Sequence, residues 1–210
     1  MRLFSRPPLS IKAVLPALLA ALAALLPAPA AASFGSTGFQ FLEAVRERDG
    51  TKATELLTAD VGTLIDTRDQ STRQTALHIV TERRDTTWMR FLLARRADAN
   101  LADRAGTTPL LIATQIGYLE GARLLVESGA RVNHANGRGE TALHLAVQRR
   151  DLAMVRALIA AGADPERQDN ITGQSPRDYA SADNRAAAIV AALDARPAAD
   201  PAQPRVAGPN

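Results

Sequence analysis

Three imidazoles, His78, His134 and His144, are the only side chains of this 210-residue chain whose ordinary pKa lies near neutrality, and there is no cysteine. The missing thiols exclude cysteine nucleophiles, disulfide staples and zinc sites built on Cys pairs. General-base or metal chemistry would therefore fall to the histidines. No serine nucleophile motif, Gly-rich phosphate loop or pair of catalytic carboxylates is recognisable. The sequence thus predicts no enzyme, no cofactor and no metal site. Asn170-Ile171-Thr172 matches a glycosylation acceptor. What remains is a large set of arginines, whose planar guanidinium suits the recognition of carboxylates.

The formal charge of +3 and a pI near 9.9 invite a nucleic-acid reading, but the position of the charge decides against it. Arg2, Arg6 and Lys12 are the only charges in residues 1–32, which leaves 22 basic against 22 acidic residues in the body. No nucleic-acid partner is expected.

Those first 32 residues have the layout of a secretory signal peptide. A basic stretch ending at Lys12 precedes an apolar run, Ala13 to Leu26, and then small residues from Pro27 to Ala32. The run is short for a bilayer span. Ala30 and Ala32 place cleavage before Ser33, with a cut after Ala30 as the second choice. The alternative, that the run is a helix of the body or an uncleaved anchor, stays open. The excess of Arg over Lys and the abundance of Ala point to a GC-rich bacterial genome, hence to the periplasm, with secretion as the other destination. Freedom from cysteine suits an oxidising compartment. No stable membrane insertion is expected after cleavage.

The elements that carry the histidines and arginines repeat. Thr75-Ala-Leu-His78, Thr108-Pro-Leu-Leu111, Thr141-Ala-Leu-His144 and Ser175-Pro-Arg-Asp178 recur at steps of 33, 33 and 34. Leu92-Leu93, Leu124-Leu125 and Leu158-Ile159 follow at a similar step, as do the segments around Asn100, Asn133 and Pro165. The hydroxyl of each motif is placed to cap a first helix, and Pro109 and Pro176 fall in its first turn, where a missing N–H is harmless. Leu77, Leu110 and Leu143 then face a core, and Trp88, Phe91 and Leu92 with their counterparts repeat at helical spacing, so Trp88 is read as core. Gly129 and Gly162 end the second helices in a left-handed conformation. Arg96 stands at that position in the first repeat, where a non-glycine residue costs about 1 kcal/mol, which predicts that repeat one is the least regular.

On these motifs the chain resembles the ankyrin-repeat family, in the layout of an exported bacterial ankyrin-repeat protein. The resemblance covers residues 38–193 and implies an all-α solenoid of helix-turn-helix units joined by short β-hairpin loops. Full repeats are expected at 70–102, 103–135 and 136–168, between an N-terminal cap at 38–69 and a C-terminal cap at 169–193. Residues 33–37 read as a linker and 194–210, rich in Pro, Ala and Gly, as a disordered tail. Arg177, where the family has a buried Leu, fits a cap that must meet water. The loop Asp169-Asn-Ile-Thr-Gly173 is one residue longer than its predecessors. In the family the imidazole of the fourth motif residue ties neighbouring turns together, which implies that role for His78 and His144. They lie two layers apart, roughly 20 Å at ~10 Å per layer of packed helices, and cannot share a metal. His134 is read as a solvated surface residue or a partner contact.

The resemblance also implies protein binding through a concave face made of hairpin tips and exposed residues of each first helix. Carried across, the helix positions are Glu82 and Arg83, Gln115 and Ile116, Gln148 and Arg149. The tip positions are Ser71, Thr72 and Gln74, Arg104 and Thr107, Arg138 and Glu140. Arg83, Arg104, Arg138 and Arg149 would line one groove and receive an acidic partner surface, with Ile116 as an apolar anchor or a packing residue. Against this, Glu82, Glu140, Asp85 and Asp151 could neutralise the arginines. The expected function is a monomeric periplasmic scaffold or regulator of one exported protein. The alternatives are a secreted effector that binds a host protein and a stress-related partner of a periplasmic enzyme such as catalase.

Overall fold

The computed structural model describes residues 36–60 and 62–195. The expected leader lies outside the described residues, as does the expected tail from Arg196 onward. Among the described residues ten α-helices are arranged in pairs: α1 Thr37–Glu47 with α2 Gly50–Ala59, α3 Ala76–Glu82 with α4 Thr86–Ala94, and α5 Pro109–Gln115 with α6 Leu119–Glu127. These are followed by α7 Ala142–Gln148 with α8 Leu152–Ala160 and α9 Pro176–Ala182 with α10 Ala187–Asp194. A 3-10 turn, Leu64–Asp66, completes the first unit. Helix α1 thus starts inside the expected linker, with Ser36 as its cap, and α10 takes in Asp194 from the expected tail.

Local sequence explains where the helices start. Thr108 Oγ1 accepts the Leu111 N–H and Ser175 Oγ the Asp178 N–H, satisfying amides that a helix leaves orphaned. Three second helices start after an aspartate: Asp49, Asp85 and Asp151 accept the N–H of Lys52, Trp88 and Met154. The other two, α6 and α10, start after Tyr118 and Ala186, which offer no such oxygen.

The paired helices stack into one core. Phe41, Leu77, Leu110 and Leu143 from first helices meet Met89, Leu92, Leu125, Met154 and Leu158 from second helices, all fully buried. Repeated stacking is what buries a face that no single pair could hide. Trp88 packs on this core as expected but is only half-buried, with its ring edge-on to Phe91 at 5.3 Å between centroids.

Repeat one is no less regular than its neighbours, contrary to expectation. Its helices have the lengths of those in repeats two and three. Arg96 takes φ 63°, and its N–H bonds Leu93 O while that of Ala97 bonds Leu92 O. The same pair of bonds closes α6 at Gly129 and Ala130 and α8 at Gly162 and Ala163. The strain is carried in the dihedral and leaves the helix end intact. Among the described residues every non-glycine at positive φ is an arginine: Arg48, Arg73, Arg84, Arg96 and Arg150. Three of them sit in the turn between first and second helix and reach forward one unit, Arg48 to the Asp85 carboxylate at 3.0 Å, Arg84 to the Ile116 carbonyl and Arg150 to the Asp183 carboxylate.

The loops expected as β-hairpins carry a single antiparallel bridge among the described residues, Ala135 with Thr141. Their shape comes instead from one side-chain oxygen per loop. Asp103 Oδ1 accepts the N–H of Ala105 and Thr107, and Asn136 Oδ1 those of Arg138 and Glu140. Asp69 and Asp169 do the same in the first and last loops. Both outer loops are one residue longer than the inner two, so the extra length expected only at 169–173 occurs at each end. Past the second helices, Asn100 and Asn133 bond forward to the backbone of the next unit at Gly129 and Gly162.

Candidate protein-binding face

One backbone hydrogen bond per step joins the loop tips into a rail. Arg104 N–H donates to Thr72 O, Gly137 N–H to Ala105 O and Asn170 N–H to Arg138 O. Behind the rail, α3, α5 and α7 pack on one another more closely than α4, α6 and α8 do. Residues three and four apart share a helix face, so Ile79, Glu82 and Arg83 form one row with Ile112, Gln115 and Ile116 and with Leu145, Gln148 and Arg149. This is the face expected to bind.

Several of its charges are already matched. Gln74 Nε2 donates to Glu82 Oε1 at 2.6 Å, a bond from tip to helix. In repeat three the order is reversed: Glu140 is the tip residue, and it accepts from Gln148 on the helix. Arg138 is exposed at its end but donates through Nε and Nη2 to Glu140 Oε2, at 2.9 and 2.7 Å, and Asn136 Nδ2 adds a third bond. Burial alone would raise the Glu140 carboxyl, but the bonds from Asn136 and Arg138 hold it below its ordinary value.

Arg83 is not available to line the groove. Its Nη1 donates to the carbonyl oxygens of Val45 and Arg46, both at 2.8 Å, so it caps the end of α1. Its Nη2 lies 3.8 Å from Asp85 Oδ2, an ion-pair distance without a hydrogen bond, and its Nε has no partner among the described residues. Burial pulls its pKa down from the ordinary value, with Arg48 adding to the effect and Asp85 opposing it. A long side chain beside the open carbonyls of a neighbouring helix end is drawn inward, which periodicity alone does not reveal.

Ile116 is half-buried against the core rather than an exposed anchor. Arg104 and Arg149 are exposed, and neither has an ion pair among the described residues. Arg149 lies over Gly117, where an added Cβ would come within 2.7 Å of its Nη2. Glu82, Gln115 and Gln148 are all exposed. Leu145 and Tyr179, half-buried in the row of Ile79 and Ile112, belong to the same face and were missed. Their spacing of 33 and 34 from Ile112 and Leu145 was the available signal. Ser71, Thr72 and Arg104 are exposed on the tips, whereas Gln74 and Thr107 are half-buried.

The histidines serve the scaffold. His78 Nδ1 accepts the Thr75 N–H at 3.1 Å, and Nε2 lies 3.0 Å from Thr107 O in the next loop. A backbone N–H can only donate, so Nδ1 is unprotonated and the proton sits on Nε2, pointing at the carbonyl. His144 repeats this with Thr141 and Gln174 O. Burial pushes both imidazoles below their ordinary value. Asp178, at the same position in the last unit, accepts the Ser175 N–H with a carboxylate oxygen. His134 is half-buried, and its Nε2 lies 3.0 Å from Gly106 O, a tie to the preceding loop. Among the described residues no cluster of three or more potential metal ligands occurs, and no helix is long and apolar enough to cross a membrane.

Comparison with known families bears on the same stretch. Residues 41–136 match the family model for ankyrin repeats in three copies, and residues 125–180 match that for ankyrin repeats in many copies. The chain belongs to the ankyrin-repeat family. No curated protein matches it. Ankyrin repeats are protein–protein interaction modules and typically act as scaffolds without catalysis of their own. Fold says how such a module binds, and the grafted side chains say what.

Proposed function

We propose that this ankyrin protein is a periplasmic scaffold or regulator that holds one exported protein against its concave face. The observation that carries the binding mode is the pair of exposed arginines with no carboxylate of their own, Arg104 and Arg149, flanking exposed Gln115 and Gln148 on one continuous surface. A partner that brings carboxylates to Arg104 and Arg149 meets guanidinium groups that are not already matched, while Arg138 can share its charge between Glu140 and the partner. Gln115, Gln148 and the edges of Ile116 and Leu145 supply amide and apolar contact between the charges. The export reading rests on the leader pattern of residues 1–32.

The test is a crosslinked pulldown from the native host's periplasm with the full chain, tagged at its C-terminus, beside the Arg104→Ala, Arg138→Ala, Arg149→Ala triple variant. Arg83 is left intact, because its loss would disturb the fold. One specific partner that is lost in the variant supports the reading. A partner retained at equal yield by the variant defeats the arginine contact, and absence of the chain from the periplasm defeats the localisation.

A further inference from the structure

The repeats act as internal controls for one another, because each must satisfy the same stacking. On the second helix and the cap that follows it, repeat one differs from both sisters at several positions, four of which lie together. Trp88 stands where repeats two and three have Gly121 and Met154, Phe91 where they have Leu124 and Ala157, Arg95 where they have Ser128 and Ala161, and Arg96 where they have Gly129 and Gly162. Repeat two buries Leu124 and repeat three Met154 at two of these positions, whereas Trp88 and Phe91 pack on the core but stay half-buried and Arg95 and Arg96 are exposed.

Trp88, Phe91 and Arg95 fall on one stripe of α4. The Arg95 guanidinium lies over the Phe91 ring, 3.7 Å from its centroid, and Trp88 stands edge-on to that ring. Arg96 holds φ 63°, and its side chain has no hydrogen bond or ion pair among the described residues, so the strain is not repaid by a contact within the scaffold. Beside this stripe, between α2 and α4, runs an open slot of about 210 Å³ lined by Arg48, Gly50, Thr87, Trp88 and Phe91.

One unit further on, the same gap is closed from within. Tyr118 lies over Gly121, whose added Cβ would come 2.2 Å from the ring, and the Tyr118 hydroxyl meets Thr86 at 2.5 Å. Between α2 and α4, Gly50 takes the place of Thr86 and Asp85 that of Tyr118, and the Asp85 carboxylate turns to Arg48. A Cβ added at Gly50 meets nothing within 4 Å. The Tyr118 ring thus takes the space over Gly121 that the Trp88 side chain takes in repeat one, and beside Trp88 the slot stays open at Gly50.

We propose that Trp88, Phe91, Arg95 and Arg96, with Arg48, form a second binding site on the opposite side from the concave face, for a segment that presents an aromatic side chain between carboxylates. The ring enters the slot against Trp88 and Phe91, and the carboxylates meet Arg95 and Arg96, which have no acidic partner among the described residues. Trp and Arg in a partly enclosed slot are the residue types that dominate protein interfaces. The site is independent of the concave face.

Trp88 reports on its own site. The purified chain is titrated with three terminally blocked pentapeptides, Asp-Glu-Phe-Glu-Asp, Asp-Glu-Ala-Glu-Asp and Lys-Lys-Phe-Lys-Lys, and tryptophan fluorescence is followed. A saturable change with the first peptide alone is expected. Two variants control for folding. The first, Phe91→Leu, Arg95→Ser, Arg96→Gly, copies repeat two, and the second, Gly50→Leu, fills the slot. With circular dichroism and Tm indicating an intact fold, each should weaken the first peptide by about tenfold or more. No saturable response to that peptide at millimolar concentration overturns the site, as does an equal response to the alanine peptide or undiminished binding by both folded variants.

Discussion

Arg83 Nη1 lies 2.8 Å from the carbonyl oxygen of Val45, 38 residues upstream, and the same nitrogen reaches Arg46 O. An arginine that the repeat pattern assigns to the binding face is instead the cap of the preceding helix. Removing it leaves two carbonyls of α1 without that donor, so Arg83→Ala should destabilise the fold by about 2 kcal/mol. Arg149→Ala, an exposed change, should stay within about 0.5 kcal/mol. Urea denaturation of the two variants measures the contrast, and equal losses would remove the distinction.

Arg96→Gly should stabilise the domain by about 1 kcal/mol, because it relieves a left-handed arginine whose side chain holds nothing within the described residues. The gain should appear as a higher Tm with an unchanged far-UV spectrum. A variant less stable than the parent would mean that Arg96 makes a contact in solution.

Gly129 and Gly139 share a positive φ but differ in their surroundings. A Cβ at Gly129 meets nothing within 4 Å, whereas one at Gly139 would lie 2.5 Å from the backbone nitrogen of Asn170. Gly129→Ala should therefore cost about 1 kcal/mol from the dihedral alone, and Gly139→Ala about 3 kcal/mol or more, since the tip rail must also open. Thermal denaturation separates the two.

The architecture was legible in the sequence because the signals agree: hydroxyls at Thr75, Thr108, Thr141 and Ser175, prolines at 109 and 176, and leucine pairs at the same step. What escaped depends on neighbours in the next unit. The expected ties of His78 and His144 are present, but nothing in the pattern around His134 points to Gly106 O. Nor does residue type announce a left-handed turn at Arg48, Arg84 or Arg150, where family logic looks for glycine, because the compensation is a contact about one unit ahead. At the candidate face the positions were legible and their state was not. Arg83 and Arg149 hold equivalent places, yet one is drawn to open carbonyls and the other is exposed.

Stability should fall in two steps on acidification. His78 and His144 have folded pKa values below the ordinary 6.5 because they are buried. The unfolded chain therefore takes up protons first, and stability present above pH 6.5 declines as pH falls through the lowered values, by up to about 1.4 kcal/mol per pH unit for each imidazole. Asp103 partly offsets the shift at His78, and Asp169 and Glu140 that at His144, while Arg68 and Arg167 add to it. The second step lies below the ordinary carboxylate value of 3.8. Hydrogen bonds from Ser71, Thr72 and Arg46 at Asp69, and chiefly from Thr172 at Asp169, hold these two carboxyls well below it. The double variant His78→Leu, His144→Leu, which copies Leu111 of the middle repeat, should flatten urea midpoints between pH 6.5 and 5 and leave the lower step. A slope unchanged by the variant would assign the first step to other groups.

The central claim is that the concave face holds the partner, and photocrosslinking in the native cell tests it most directly. A benzophenone side chain is placed in the full chain at Gln115, at Gln148 or, at the exposed end of α6, at Glu127. The same single protein adduct from Gln115 and Gln148 but not from Glu127 is predicted. An adduct formed at Glu127, with none at Gln115 or Gln148, would contradict it.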